Sequence, residues 1–191
     1  MSAVRRPVLT TAALLLAVAA CQMPAGGTRS AQVLDGALTV GVPQGYCIDR
    51  GAGREAGDTA VVLMGRCREG SSAVPAVVTL SVGAAGTAAA MAAGGDALSG
   101  YFTSDAGRAT LSRDGRAADV RVLEARQAGD AFVMRISDRA VGDYWRAVTG
   151  VNGRLVTVSV TGPGTAPLPP GDGRALLDRA LAALARANPA A

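Results

Sequence analysis

The sequence predicts an α+β fold, an antiparallel sheet of about six or seven strands covered by two helices. Three observations carry that expectation. Several short runs rich in β-branched residues alternate apolar with polar positions, Asn152-Gly153 sits between two of them, and the segments 86–106 and 172–187 repeat apolar residues at helical spacing.

Taken in order, Ala37 to Val42 and Gly45 to Asp49 read as strands, followed by a Gly-rich loop through Asp58 and further strands over Ala60 to Cys67 and Val74 to Val82. In 86–106, Leu98, Tyr101 and Phe102 stand at i, i+3 and i+4 on one helical face. Gly94-Gly95 is expected to break or kink that helix and Gly107 to end it. Arg108 to Ser112, Val120 to Arg126 and Ala131 to Ser137 follow as strands, the last two joined through Ala128-Gly129-Asp130 as a hairpin. Asn-Gly is the preferred two-residue type I′ turn because both positions need positive φ. It predicts that Val151 pairs with Arg154, Ala147 with Val158 and Trp145 with Val160, burying Trp145, Ala147, Val156, Val158 and Val160 together. Residues 162–171 form a stiff Pro- and Gly-rich connector. Asp172 then caps a helix through Ala187, with Leu177, Leu181 and Leu184 on one stripe, Arg186 at its negative end and Asn188-Pro189 as its stop.

Met1 to Ala20 has the layout of an export signal: Arg5 and Arg6, an apolar stretch from Val8 to Ala20, then small residues before a cysteine. The apolar stretch is too short for the roughly 20 residues of a membrane-spanning helix. Leu16-Ala17-Val18-Ala19-Ala20-Cys21 resembles the bacterial lipobox. The resemblance implies cleavage before Cys21, a diacylglycerol thioether and an N-acyl chain on it, and anchoring facing the periplasm, because two or more chains hold where one is marginal. Ordinary cleavage after Ala19 or Ala20 is the alternative, since Ala17-Val18-Ala19 also suits a signal peptidase. Gln22 in place of Asp after the cysteine implies the outer rather than the inner membrane. The chain then divides into a signal (1–20), a lipidated cysteine with a polar tether (21–32) and a single globular domain (33–191).

With Cys21 acylated, Cys47 and Cys67 are an even pair in an oxidising compartment and are expected to form a disulfide. Their spacing does not suit a C-x-x-C redox pair.

The chain of 191 residues has no histidine, and all 19 of its basic residues are arginine. That inventory removes the His-dependent triads, the P-loop lysine and Schiff-base chemistry, and no G-x-S-x-G or HExxH occurs. Gly51-Ala52-Gly53-Arg54-Glu55-Ala56-Gly57 has the wrong spacing for a phosphate loop. Removal of 1–20 takes Arg5 and Arg6 away and leaves 17 basic against 15 acidic residues, a net charge of only +2. Together with 3% aromatics, this argues against nucleic acid as a partner. Neither a cofactor nor a metal is expected. Carboxylate-only hydrolysis would have to use two among Asp49, Asp58, Asp138 and Asp143.

Gly45 to Asp49, Val61 to Cys67, Gly107 to Ser112, Asp143 to Arg146 and Asn152 to Val160 together resemble a group of small uncharacterised alphaproteobacterial envelope proteins. The element order also resembles the Mog1/PsbP-type α/β/α sandwich, which implies binding or assembly rather than catalysis. The expected function is a non-enzymatic binding or assembly module of the cell envelope, with an envelope protein or a small apolar ligand as partner. Tyr46, Tyr101, Phe102, Tyr144 and Trp145 are the candidate partner or ligand surface. An apolar ligand would call for a cavity lined by Leu98, Tyr101, Phe102 and Trp145.

Overall fold

The computed structural model describes residues 27–164 and 166–189. The signal, Cys21 and the tether up to residue 26 lie outside the described residues. A small antiparallel pair, β1 (Ser30–Val33) and β2 (Leu38–Gly41), precedes the main sheet. The main sheet is built from β3 (Tyr46–Ala56), β4 (Thr59–Arg66), β5 (Val77–Ala85), β6 (Val120–Ala128), β7 (Ala131–Asp138), β8 (Gly142–Val151) and β9 (Arg154–Thr161). Its order is β3-β4-β5-β9-β8-β7-β6, antiparallel throughout. Three helices accompany it: α1 (Gly94–Thr103), α2 (Asp105–Leu111) and α3 (Pro170–Ala187).

The Asn-Gly hairpin has the expected register. Val151 faces Arg154, Ala147 faces Val158 and Trp145 faces Val160, with Asn152 at φ 49° and Gly153 at φ 75°. The five residues expected inside are buried. Because side chains alternate across a strand, neighbouring rows of this sheet face opposite ways. One row, Val62, Leu80, Val158, Ala147 and Val133, crosses β4-β5-β9-β8-β7 and is buried throughout. It packs under Leu176, Leu177, Ala180 and Leu184 of α3, with Leu38 and Val40 of β2 completing the layer. On the other face α1 and α2 cover only β6, β7 and β8, over Phe132, Met134, Ile136 and Val148.

Several expectations are corrected. The Gly-rich stretch after Asp49 is not a loop but the second half of β3, with a register irregularity between Asp49 and Arg54. Bulges absorb glycine where a plain strand would not. Arg108 to Ser112 is helical, not a strand, and Gly107 lies inside α2 instead of ending a helix. Ser104 is the true punctuation: its hydroxyl accepts the Gly107 amide at 3.2 Å and caps α2 directly after α1. Gly107 is buried against the backbone of Tyr101, where a Cβ would collide. The helical layer therefore has three helices on two faces, not two helices. Asp172 lies in the first turn of α3 but makes no cap, since the helix begins at Pro170 and Pro169 holds the N-cap position. Asn188 ends α3 as expected and stitches it to β2, accepting the Thr39 amide and donating to the Thr39 carbonyl. Ser30 to Gln32, read as tether, belong to β1.

Candidate functional site

The disulfide is present: Cys47 on β3 and Cys67 just beyond β4 are joined with Cα atoms 4.9 Å apart. It clamps the edge hairpin where Tyr46 pairs with Arg66. The backbone of Gly27 lies against it, because a Cβ there would stand 2.6 Å from both Cβ and Sγ of Cys47.

The five aromatics proposed as a surface are not brought together. Tyr46 and Trp145 are buried on the α3 face, whereas Tyr144 and Phe102 belong to the α1/α2 side. Only Tyr101 is well exposed, at 46%. Phe102 stacks on Phe132 with centroids 5.9 Å apart, a core contact. The Trp145 indole donates to the Pro170 carbonyl at 2.8 Å and has the Arg174 guanidinium over its ring, so it seats the start of α3. An apolar cavity lined by Leu98, Tyr101, Phe102 and Trp145 does not form, because the sheet separates Trp145 from Leu98 and Phe102.

The candidate carboxylates do not converge either. Asp58 is held by Arg154, whose guanidinium pairs with it at 2.6 Å and also donates to the Asp58 and Gly83 carbonyls. Those bonds, with the Ala85 amide second, hold the Asp58 carboxyl below the usual carboxylate range. Asp143 pairs with Arg135 at 3.2 Å. Asp138 ends the β7 row of Phe132, Met134 and Ile136, while Asp143 alternates with Tyr144 and so faces the opposite side. Asp49 accepts the Gly51 amide.

The structure assembles an open groove of about 490 Å³ between α3 and the ends of β7 and β8, lined largely by Ala, Leu and Val, and a more polar one of about 430 Å³ beside the C-terminal end of α2. The floor of the more polar groove is the uncovered half of the sheet. There the row Leu63, Thr79, Ser159, Arg146 and Met134 runs from open sheet to helix-covered sheet, and the next row is Val61, Ser81, Thr157, Val148 and Phe132. Thr79 therefore stands opposite Ser159, and Ser81 opposite Thr157, as paired hydroxyls. Arg146 Nε donates to Ser159 Oγ at 2.9 Å, and its guanidinium lies 5.3 Å from the centre of the Tyr144 ring. Arg113 stands exposed at the rim.

Asp138 closes one end of the groove and is only 3% exposed. Its Oδ1 accepts the Ala140 amide at 2.7 Å, while Oδ2 is buried without a partner among the described residues. Such an atom carries an unmet demand for a donor. The Tyr144 phenol donates to the Leu111 carbonyl at 3.2 Å, and its pKa is raised, chiefly by burial. Arg146 lowers it and Asp138 raises it again. The phenol thus stays protonated and acts as a fixed donor, not as a base. Hydroxyls that both donate and accept, the guanidiniums of Arg146 and Arg113 and one carboxylate suit hydrogen-bonded binding of a polar ligand.

None of these residues except Asp138 and Tyr144 stood out in the sequence. Their signal was the hydroxyl at every second position of β5 and β9, which is also the ordinary pattern of a strand facing water.

No family profile matches the chain, and no curated protein matches it. Solved structures similar to it include the Ran-binding protein Mog1p of Saccharomyces cerevisiae, at 14% identity, covering 85% of this chain and 94% of that one, with a TM-score of 0.47. Cyanobacterial PsbP from Synechocystis is similar at 12% identity over 83% of this chain and 91% of that one, with a TM-score of 0.43.

Proposed function

We propose that the chain is an exported protein held on a bacterial membrane through acylated Cys21, and that its domain is a non-enzymatic binding module for an envelope component. The cysteine pattern carries this reading. The disulfide takes two of the three cysteines, which suits an oxidising compartment, and leaves Cys21 of the lipobox for acylation. The hydroxyl-lined groove is the recognition surface, and its ligand is polar rather than apolar. A polyhydroxylated envelope component fits best, since the Ser and Thr hydroxyls serve either direction of hydrogen bond and Arg146 and Asp138 add a fixed donor and a fixed acceptor.

A photo-crosslinking residue placed at Thr157, in cells producing the chain with Cys21 or with Cys21→Ser, tests both halves. The expected result is a discrete adduct formed by the membrane-held protein and lost when Cys21→Ser releases it. An N-terminal peptide without acyl mass would sink the anchoring, and an acylated protein giving no adduct from Thr157 would sink the groove.

A further inference from the structure

The membrane reading leaves open which side of the domain meets the bilayer, and the way the chain joins the fold decides it. Gly27 rests on the Cys47–Cys67 disulfide. The Thr28 carbonyl then accepts the Ile48 amide at 2.8 Å, and the Thr28 hydroxyl accepts Arg50 Nε at 2.9 Å. From Gly27 onward the chain is part of the domain. Cys21 is six residues earlier, so even a fully extended connection reaches only about 20 Å. A tether that short keeps the disulfide edge next to whatever Cys21 is fixed in.

That edge carries unspent positive charge. Arg29, Arg50, Arg54 and Arg68 are exposed around it, and Arg66 is half-buried beside Cys67. Among the described residues none of the five pairs with a carboxylate within 4.0 Å. Three acids share β3, β4 and the loop after Cys67: Asp49 accepts the Gly51 amide, Glu55 accepts the Leu34 amide, and Glu69 is exposed next to Arg68 in the sequence, so five arginines stand against three carboxylates. Elsewhere the arginines divide: Arg116, Arg135, Arg154 and Arg174 are paired, whereas Arg113, Arg121 and Arg126 make no such pair among the described residues, so what sets this edge apart is its place beside the short tether. A guanidinium matches a phosphate with two parallel donors.

We infer that the disulfide edge of the domain lies on the membrane surface, with Arg29, Arg50, Arg54 and Arg68 against the phosphates of anionic phospholipid. The inference rests on the anchoring proposed above and deepens it. It leaves the groove beside α2 free, since none of that groove's lining residues belongs to β3 or β4.

The test uses the mature chain, Cys21 to Ala191, with Cys21→Ser, so that acylation plays no part in the readout. It is floated with vesicles of phosphatidylcholine alone or with phosphatidylglycerol added, at low salt. The expected result is binding only to the anionic vesicles, lost as salt rises. Arg29, Arg54 and Arg68 make no side-chain bond within the fold among the described residues, so changing all three to Gln leaves the fold intact. Anionic membranes favour each basic residue by about fivefold, which sets an expected loss of about 100-fold. The equal-charge control Arg121→Gln, Arg126→Gln, Arg139→Gln should change binding by less than about threefold. Equal binding to both vesicle types, or an equal loss in the two triple variants, overturns the inference. The mass of the N-terminal peptide from cells reports separately on acylation, so the two failures cannot be confused.

Discussion

The two faces of the sheet use the same strands and differ in what covers them. On one, α3 and the β1-β2 pair seal a continuous layer from Tyr46 to Trp145, with Leu176, Leu177 and Leu184 almost wholly enclosed. On the other, α1 and α2 close only the half over β6 to β8, and across β9, β5 and β4 the row changes from Met134 and Arg146 to Ser159, Thr79 and Leu63. The closed face supplies most of the burial and opens only at its margin, between α3 and the ends of β7 and β8. A half-closed face leaves a step at its boundary, and the groove with its buried Asp138 lies along that step. The difference teaches that polar side chains gather at the edge of the incomplete layer, not in the middle of the complete one.

If this contrast is right, α3-face truncations should be felt globally. Leu177→Ala, at a site with no exposure, should cost about 2–5 kcal/mol and lower the urea midpoint of the whole domain. A loss well below this range would mean that α3 docks loosely and the faces are alike. Next in size is the edge: replacing Cys47 and Cys67 together by Ser removes a cross-link spanning 20 residues, for about 3 kcal/mol on the chain-entropy account. Equilibrium unfolding of the double variant checks it. On the half-covered face, Leu98→Ala should cost about 2 kcal/mol, at the low end for such changes. Hydrogen exchange should show α1 opening locally while α3 stays protected, and equal exposure of both helices would contradict the contrast.

The smallest effect is set by pH. Asp58 has its carboxyl pKa depressed by Arg154 in the folded state. The stability it contributes is therefore present above its unfolded value near pH 4 and is lost as pH falls through the folded value. Urea midpoints at pH 6 and pH 3 should differ less in Arg154→Met than in the parent, and an unchanged difference would show that the pair is not what senses acid.

The helical segment 94–111 shows why part of the fold was illegible. Gly107 looked like a stop because glycine usually is one, yet here it is needed so that α2 can lie against the backbone of Tyr101. Gly51 and Gly53 looked like a loop, yet they sit at the irregularity of β3 that keeps pairing with β4. In both cases the glycine answers a contact distant from its own local pattern. The candidate site was harder still. Tyr46, Tyr144 and Trp145 are ordinary aromatics in the sequence, and only the alternation of strands assigns them to different faces.

What local chemistry dictated was settled before any tertiary contact. Positive φ at Asn152 and Gly153 imposed the hairpin register, β-branched alternation imposed the strands, the leucine stripe made α3 amphipathic, and three cysteines left one pair and one odd residue. Tertiary structure decided the strand order, the division of the helices between two faces and the placing of Asp138, Arg146 and the Ser and Thr hydroxyls along one groove. The physical reason is range. Turn and helix preferences act over a few residues, whereas the pairing of Thr79 with Ser159, or of Arg154 with Asp58, joins positions that become neighbours only when the whole sheet closes.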